Sequence, residues 1–147
     1  MFEFLMTPEQ IALRDEAREM AKSVPREYIL DMDADKIKYP KDFLKECGRR
    51  NLIGLRVPKE YGGRGLGWED DIIALEEICV NGYIFGCTYG VTGDVVTEAL
   101  VHFGTEEQKK KYLIPICKGE KFAAECLTEP RGGSDFFGST MYAKKDG

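Results

Sequence analysis

The chain has 147 residues, 43% hydrophobic and 32% charged, with a mean hydropathy of −0.35. Its 21 Lys+Arg stand against 26 Asp+Glu, and this net acidity argues against a nucleic-acid binder, which needs a basic face for phosphates. No apolar run approaches the roughly 18 residues of a membrane span, and Met1-Phe2-Glu3-Phe4-Leu5-Met6 lacks the basic start of a signal peptide. A soluble, cytoplasmic protein with a core of its own is expected, with neither nucleic acid nor membrane as partner.

The element pattern begins at Thr7-Pro8-Glu9-Gln10, a capping-box start with Pro8 at the first helical position and Met6 and Ile11 spaced as a staple. Leu13, Ala17, Met20, Ala21 and Val24 follow a 3.6-residue period up to Pro25. A second, shorter helix is predicted from Pro40, with Phe43, Leu44 and Cys47 facing inward. Leu52 to Val57 reads as extended, and Pro58 to Gly67 as a glycine-rich loop. A third helix is predicted from Trp68 to Val80 with Trp68, Ile72, Leu75 and Cys79 on its buried face. A fourth, from Phe85 to His102, is apolar on several sides and therefore expected to be central. Its Gly86, Gly90 and Gly93 imply close approach of either another helix or a ligand. Thr105-Glu106-Glu107-Gln108 repeats the capping box and opens a fifth helix ending near Pro115, whose Lys109-Lys110-Lys111 run reads as a solvated face. From Phe122 to Leu127 the apolar residues alternate, a strand signal, and Phe137 to Lys144 reads as a second, weaker strand. Asp146-Gly147 is a hairpin dipeptide with no returning strand after it. The expectation is a truncated chain whose half-sheet belongs to a larger protein, because two strands alone leave edges and apolar faces uncovered; the alternative is that the two strands simply pack on the helical body.

The five cysteines, Cys47, Cys79, Cys87, Cys117 and Cys126, are odd in number and lack C-x-x-C spacing, so they read as small buried hydrophobes in a reducing compartment. His102 is the single histidine, which excludes multi-histidine metal sites within one chain, and no metal is expected. A hydrolytic triad would have to recruit His102, whose place at a helix end reads as structural or surface.

The most specific segment is Cys126-Leu127-Thr128-Glu129-Pro130-Arg131-Gly132-Gly133-Ser134-Asp135-Phe136-Phe137-Gly138. A strand there delivers Thr128 into a glycine turn whose successive N–H groups can cradle an anion, with Arg131 and Ser134 beside it. The alternative is an ordinary polar turn in which Asp135 satisfies local N–H groups. Neither a G-x-G-x-x-G nor a Walker A loop is present, so a Rossmann nucleotide site is unsupported.

This segment resembles a signature of the acyl-CoA dehydrogenase family: small residue, aliphatic, Thr, Glu, two variable positions, Gly-Gly-Ser-Asp, two variable positions, Gly. Two more family-like stretches precede it in order, Val57-Pro58-Lys59-Glu60-Tyr61-Gly62-Gly63-Arg64-Gly65-Leu66 and Phe103-Gly104-Thr105-Glu106-Glu107-Gln108-Lys109-Lys110-Lys111-Tyr112-Leu113. The resemblance implies a mainly α fold: an N-terminal helical domain over residues 1–118, followed at 119–147 by the first strands of an incomplete middle β-domain. It also implies FAD as cofactor, an acyl-CoA thioester as substrate, α,β-dehydrogenation as reaction, electron-transfer flavoprotein as redox partner and a homotetramer when complete.

Residue by residue, the resemblance makes Thr128 the hydroxyl near flavin N5 and Leu127 a backbone contact to the ring. Ser134 lies near both cofactor and substrate. The stretch through Glu125, Cys126, Gly133 and Ser134 is the implied flavin segment, while Glu129 and Asp135 hold the turn. Thr88, Val91, Thr92 and Val95 match positions that line an acyl channel, or else pack as ordinary core. Glu125 departs from the family pattern, where an aromatic or small apolar residue is more usual, and Arg131 replaces a small residue. No catalytic residue is assigned: the family's carboxylate base belongs to a C-terminal bundle past residue 147, as does a Trp-containing flavin motif, so this chain alone is expected to be inactive. Two rival readings are a non-catalytic helical assembly module and a flavin oxidase or monooxygenase on the same scaffold.

Overall fold

A computed structural model describes residues 3–146. The helices run in chain order α1 (Pro8–Lys22), α2 (Arg26–Asp33), α3 (Lys41–Arg49), α4 (Trp68–Cys79), α5 (Tyr83–Gly90), α6 (Val96–Phe103) and α7 (Glu106–Cys117). A π-helical turn, Val91–Val95, joins α5 to α6, and single 3₁₀ turns occur at Glu3–Leu5, Lys59–Tyr61 and Phe136–Gly138.

Both capping boxes form. The Thr7 hydroxyl accepts from the Gln10 amide while the Gln10 side chain accepts from the Thr7 amide, and Thr105 and Gln108 repeat the arrangement at α7. The N-terminal period is also as read, with Leu13, Ala17, Met20 and Ala21 buried. Helices α1 and α4 lie against each other, pinned at the rim by Arg18, whose guanidinium donates to both Glu77 carboxylate oxygens at 2.9 and 2.7 Å. Phe43 of α3 meets Phe85 of α5 edge-on, ring centroids 4.9 Å apart, at the centre of the core.

Several local expectations are corrected. Helix α2 was not anticipated: Pro25 stops α1 but supplies the extended residue ahead of a new helix, which carries Tyr28 and Ile29 onto the core. In α4 the buried residues are Asp71, Ile73, Ala74 and Ile78, while Trp68, Ile72 and Cys79 face outward. Acidic and apolar residues are interleaved around this helix, so its orientation is chosen by the small Ala74 on the side of α1 and by an ion pair at Asp71, neither of which periodicity reveals. Leu52 to Val57 is not an extended strand but a set of turns. Leu52, Ile53, Leu55 and Val57 are all buried, and Gly54, with a left-handed φ of 67°, breaks the extended course that the apolar residues suggest.

The predicted fourth helix is one helical run interrupted by the π turn, with one buried face (Phe85, Tyr89, Thr92, Thr97) and exposed ends at Tyr83 and Phe103. Finally, α7 continues through Pro115 to Cys117, and the segments 122–127 and 137–144 carry no strand. Among the described residues the single strand-like pairing is an isolated antiparallel bridge, Glu129 to Gly132. Alternation alone makes no ladder, and these segments lie beside no strand that could pair with them. The cysteines divide as well: Cys47 and Cys117 are buried as expected, Cys87 is partly buried, and Cys79 and Cys126 are exposed.

The glycines of the central run explain its close packing. A Cβ on Gly93 would meet the Gly54 amide nitrogen at 3.3 Å, so the π turn rides directly on the buried turns. At that junction the Tyr89 hydroxyl donates to the Leu52 carbonyl at 2.5 Å, and Tyr89 is fully buried. Gly86 faces Cys79 of α4. For Gly86 and Gly93, helix packing accounts for the absent side chain.

Candidate functional site

Past α7 the chain passes the π turn of the central helical run. Phe122 packs on the core and on Tyr39, ring centroids 5.7 Å apart, and the Thr92 hydroxyl donates to the Ala123 carbonyl at 3.4 Å. Thr92 is thereby buried and occupied, anchoring the stretch that leads to Glu125. The other three residues read as channel-lining lie differently. Thr88 donates back to the Ile84 carbonyl at 2.7 Å, Val91 is partly buried, and Val95 is 46% exposed. Thr88, Val91 and Val95 follow a helical spacing and leave an apolar strip on the outside of the π turn.

From Glu125 to Ser134 the chain is exposed except at Glu129 and Gly132. Its shape is fixed from within. The Glu129 and Gly132 amides and carbonyls bond reciprocally at 2.9 and 3.1 Å, closing a turn over Pro130 and Arg131. The Glu129 carboxylate accepts from the Thr140 amide (2.7 Å), the Thr140 hydroxyl (3.0 Å) and the Met141 amide (2.9 Å). These donors, the backbone amides foremost, hold its carboxyl below the ordinary glutamate range. Glu129 is therefore a brace with its acceptors filled, as expected of a turn-holding acid. Gly133 sits beside Thr128, where a Cβ would touch the threonine methyl at 3.4 Å, and Arg131 reaches the Gly138 carbonyl at 3.3 Å.

The turn is satisfied, yet its donors are not. Among the described residues, the backbone amides of Leu127, Thr128, Gly133 and Ser134 and the hydroxyls of Thr128 and Ser134 donate to no protein acceptor. Such a strip of free donors beside a rigid turn suits a planar, acceptor-rich ring or a phosphate ester. That donor chemistry fits a flavin dinucleotide. The exposed Glu125 side chain adds a carboxylate at the edge of the strip.

The Tyr61-Gly62-Gly63 loop is an anchor. The Tyr61 hydroxyl donates to Glu106 at 2.6 Å, and that carboxylate, with burial, pushes the phenol up to about 12. A substituent on Gly63 would run into the Val57 carbonyl. His102 lies at the surface, its Nε2 2.8 Å from Glu98, consistent with a surface role. No helix of the described residues is long and apolar enough to cross a membrane.

Sequence reasoning missed one polar constellation. Arg56, on the buried turns, donates through Nε to Asp71 at 2.8 Å and through Nη1 to Glu98, and its guanidinium lies 3.4 Å from the Trp68 ring centroid. Asp71 was hidden among the other acids of α4, Glu69, Asp70, Glu76 and Glu77. The signal available was a carboxylate within that helix and an arginine between Leu55 and Val57, each needing the other on burial.

Comparison with known proteins now decides the family. The profile described as the acyl-CoA dehydrogenase N-terminal domain matches residues 7–120. The chain belongs to the acyl-CoA dehydrogenase family. It is 36% identical over 137 residues to a short-chain-specific acyl-CoA dehydrogenase of Clostridium acetobutylicum, covering 90% of this chain and 35% of that protein. The crystal structure of an acyl-CoA dehydrogenase of Bacillus anthracis complexed with FAD superposes with a TM-score of 0.85 at 32% identity, covering 95% of this chain and 24% of that one. A prolyl acyl carrier protein oxidase also superposes, with a TM-score of 0.78 at 28% identity over 97% of this chain and 38% of that one. The chain thus spans little more than a third, or less, of the length of these relatives.

Proposed function

We propose that this chain supplies the N-terminal part of an FAD-dependent acyl-CoA dehydrogenase, with residues 1–118 as the helical domain and 119–147 as the start of the middle β-domain. The observation that carries the proposal is the strip of unused donors on the braced turn, in a chain of this family. When bound, FAD supplies the hydride acceptor for α,β-dehydrogenation of an acyl-CoA thioester. The Leu127 and Thr128 amides and the Thr128 hydroxyl hold the flavin ring, with Glu125 and Cys126 at its approach. Gly133 and Ser134 offer amides, and Ser134 a hydroxyl, to phosphate or thioester oxygens. Thr88, Val91 and Val95 form the wall against the acyl chain, while Thr92 holds that wall to the Ala123 segment. The general base is assigned to no residue of this chain, so these residues bind and orient without moving the α-proton, and the chain by itself is inactive. Electrons pass to an electron-transfer flavoprotein, and the working protein is a cytoplasmic homotetramer of fatty-acid metabolism.

The test is Thr128→Ala in the flavin-loaded protein, followed by anaerobic stopped-flow on acyl-CoA addition. Losing one donor aimed at the developing flavin charge is expected to slow flavin reduction by about tenfold or more and to leave CoA affinity nearly unchanged. Equal rates in variant and parent would refute the role of Thr128. A second reading, a flavin oxidase, is favoured by the superposition on the acyl carrier protein oxidase. Oxygen consumption on substrate addition, in place of reduction of electron-transfer flavoprotein, would select it.

A further inference from the structure

We infer that Asp94 holds a proton and donates a hydrogen bond through it to the buried Asp71, forming an acid pair that clips the π turn to α4. The argument starts from an orphan. Asp71 is 3% exposed; its Oδ2 accepts from Arg56, yet its Oδ1, equally buried, has no donor. Such an atom costs free energy unless a donor faces it. Asp94, on the π turn, lies one helical turn before Glu98, which shares Arg56 with Asp71, and this placement sets its carboxyl beside that of Asp71. Two ionised carboxylates are both acceptors and cannot bond, whereas one proton between them satisfies the orphan atom.

The charges around the pair favour the same state. Asp71 faces Asp94 from α4, Arg56 from the buried turns, Glu98 from α6 and Tyr89 from α5. Arg56 is the cation, and it is already shared between Asp71 and Glu98. Tyr89 has committed its hydroxyl to Leu52, and His102 meets the Glu98 oxygen that Arg56 does not take. Trp68 stacks over the guanidinium. Burial first, and the neighbouring Asp71 second, push the Asp94 carboxyl from 3.8 up to about 8. The π turn is where the helical hydrogen-bond ladder is out of step, so a side-chain bond to α4 fixes the segment that carries Val91 and Val95.

Asp94→Asn isolates the proton from the contact, because the amide still donates to Asp71 but does not titrate. A carboxyl raised on folding contributes stability that is complete below its unfolded value and lost as pH rises through its folded one. The full chain's unfolding constant, measured by urea titration between pH 3.8 and about 8, is therefore expected to rise up to about tenfold per pH unit more steeply in the parent than in Asp94→Asn. Infrared difference spectra at neutral pH provide a second measurement: the parent shows a protonated-carboxyl carbonyl band that Asp94→Asn lacks. Parallel pH curves would overturn the inference, and so would an infrared band that is absent from the parent or unchanged in the variant.

Discussion

Removing the Tyr89 hydroxyl tests the junction on which the π turn rests. Tyr89→Phe keeps the ring, its volume and its place in the core, so no cavity opens and the transfer of apolar surface is unchanged. What it removes is one donor, 2.5 Å from the Leu52 carbonyl, at a fully buried residue. Among the described residues that carbonyl accepts from no backbone amide, so the substitution leaves it desolvated and unpartnered. The cost of such a group is about 1–3 kcal/mol, against about 0.5–1.5 for a hydrogen bond whose partners return to water. For a chain of this size each kcal/mol lowers Tm by roughly 2–4 °C, giving an expected fall of roughly 2–12 °C. Thermal unfolding followed by circular dichroism, with urea titration alongside, reads the change. A Tm within about 1 °C of the parent would show that water reaches Leu52 and that the junction is not sealed.

Two further predictions rest on single sites. In Gly48→Ala the new methyl would lie 2.5 Å from the Lys118 carbonyl oxygen, forcing backbone of α3 and the end of α7 apart; a loss of about 1–3 kcal/mol or more is expected, and urea titration equal to the parent would contradict that contact. Glu46 accepts from Arg49 and Arg50, which together bring its carboxyl down from 4.5 to about 2, so its stabilisation is complete above the ordinary glutamate value and lost as pH falls through about 2. Glu46→Gln should flatten the acid limb of the stability profile, and an unaltered limb would reject the assignment.

What was legible in the sequence was local chemistry with few solutions. Thr7, Pro8 and Gln10, and again Thr105 and Gln108, specify helix starts because only that arrangement satisfies the first amides, and both were found as read. The stripe of α1 was legible because its polar face is unambiguous. Helix α4 was not: with Trp68, Ile72, Ile73 and Ile78 spread around it, the choice of inner face depends on Ala74 meeting α1 and on Asp71 meeting Arg56. Both are long-range facts. The strands foreseen near Phe122 and Phe137 failed for a similar reason, since alternation describes a residue's neighbours in sequence and a ladder needs a neighbour in space. At the candidate site the order of Thr128, Glu129, Gly133 and Ser134 was readable, as was the bracing role of Glu129. The Asp71–Asp94 contact was not, because two acids 23 positions apart give no sign in sequence that they meet.

The central claim is that the residues around Thr128 belong to a flavin enzyme acting on acyl thioesters. Native mass spectrometry of the protein purified from its own source tests it most directly. The account predicts a subunit much heavier than the 16.6 kDa of this chain, assembled as a tetramer with one FAD per subunit. A 16.6 kDa protein that carries no flavin would contradict it and leave a helical scaffold without the chemistry of its relatives.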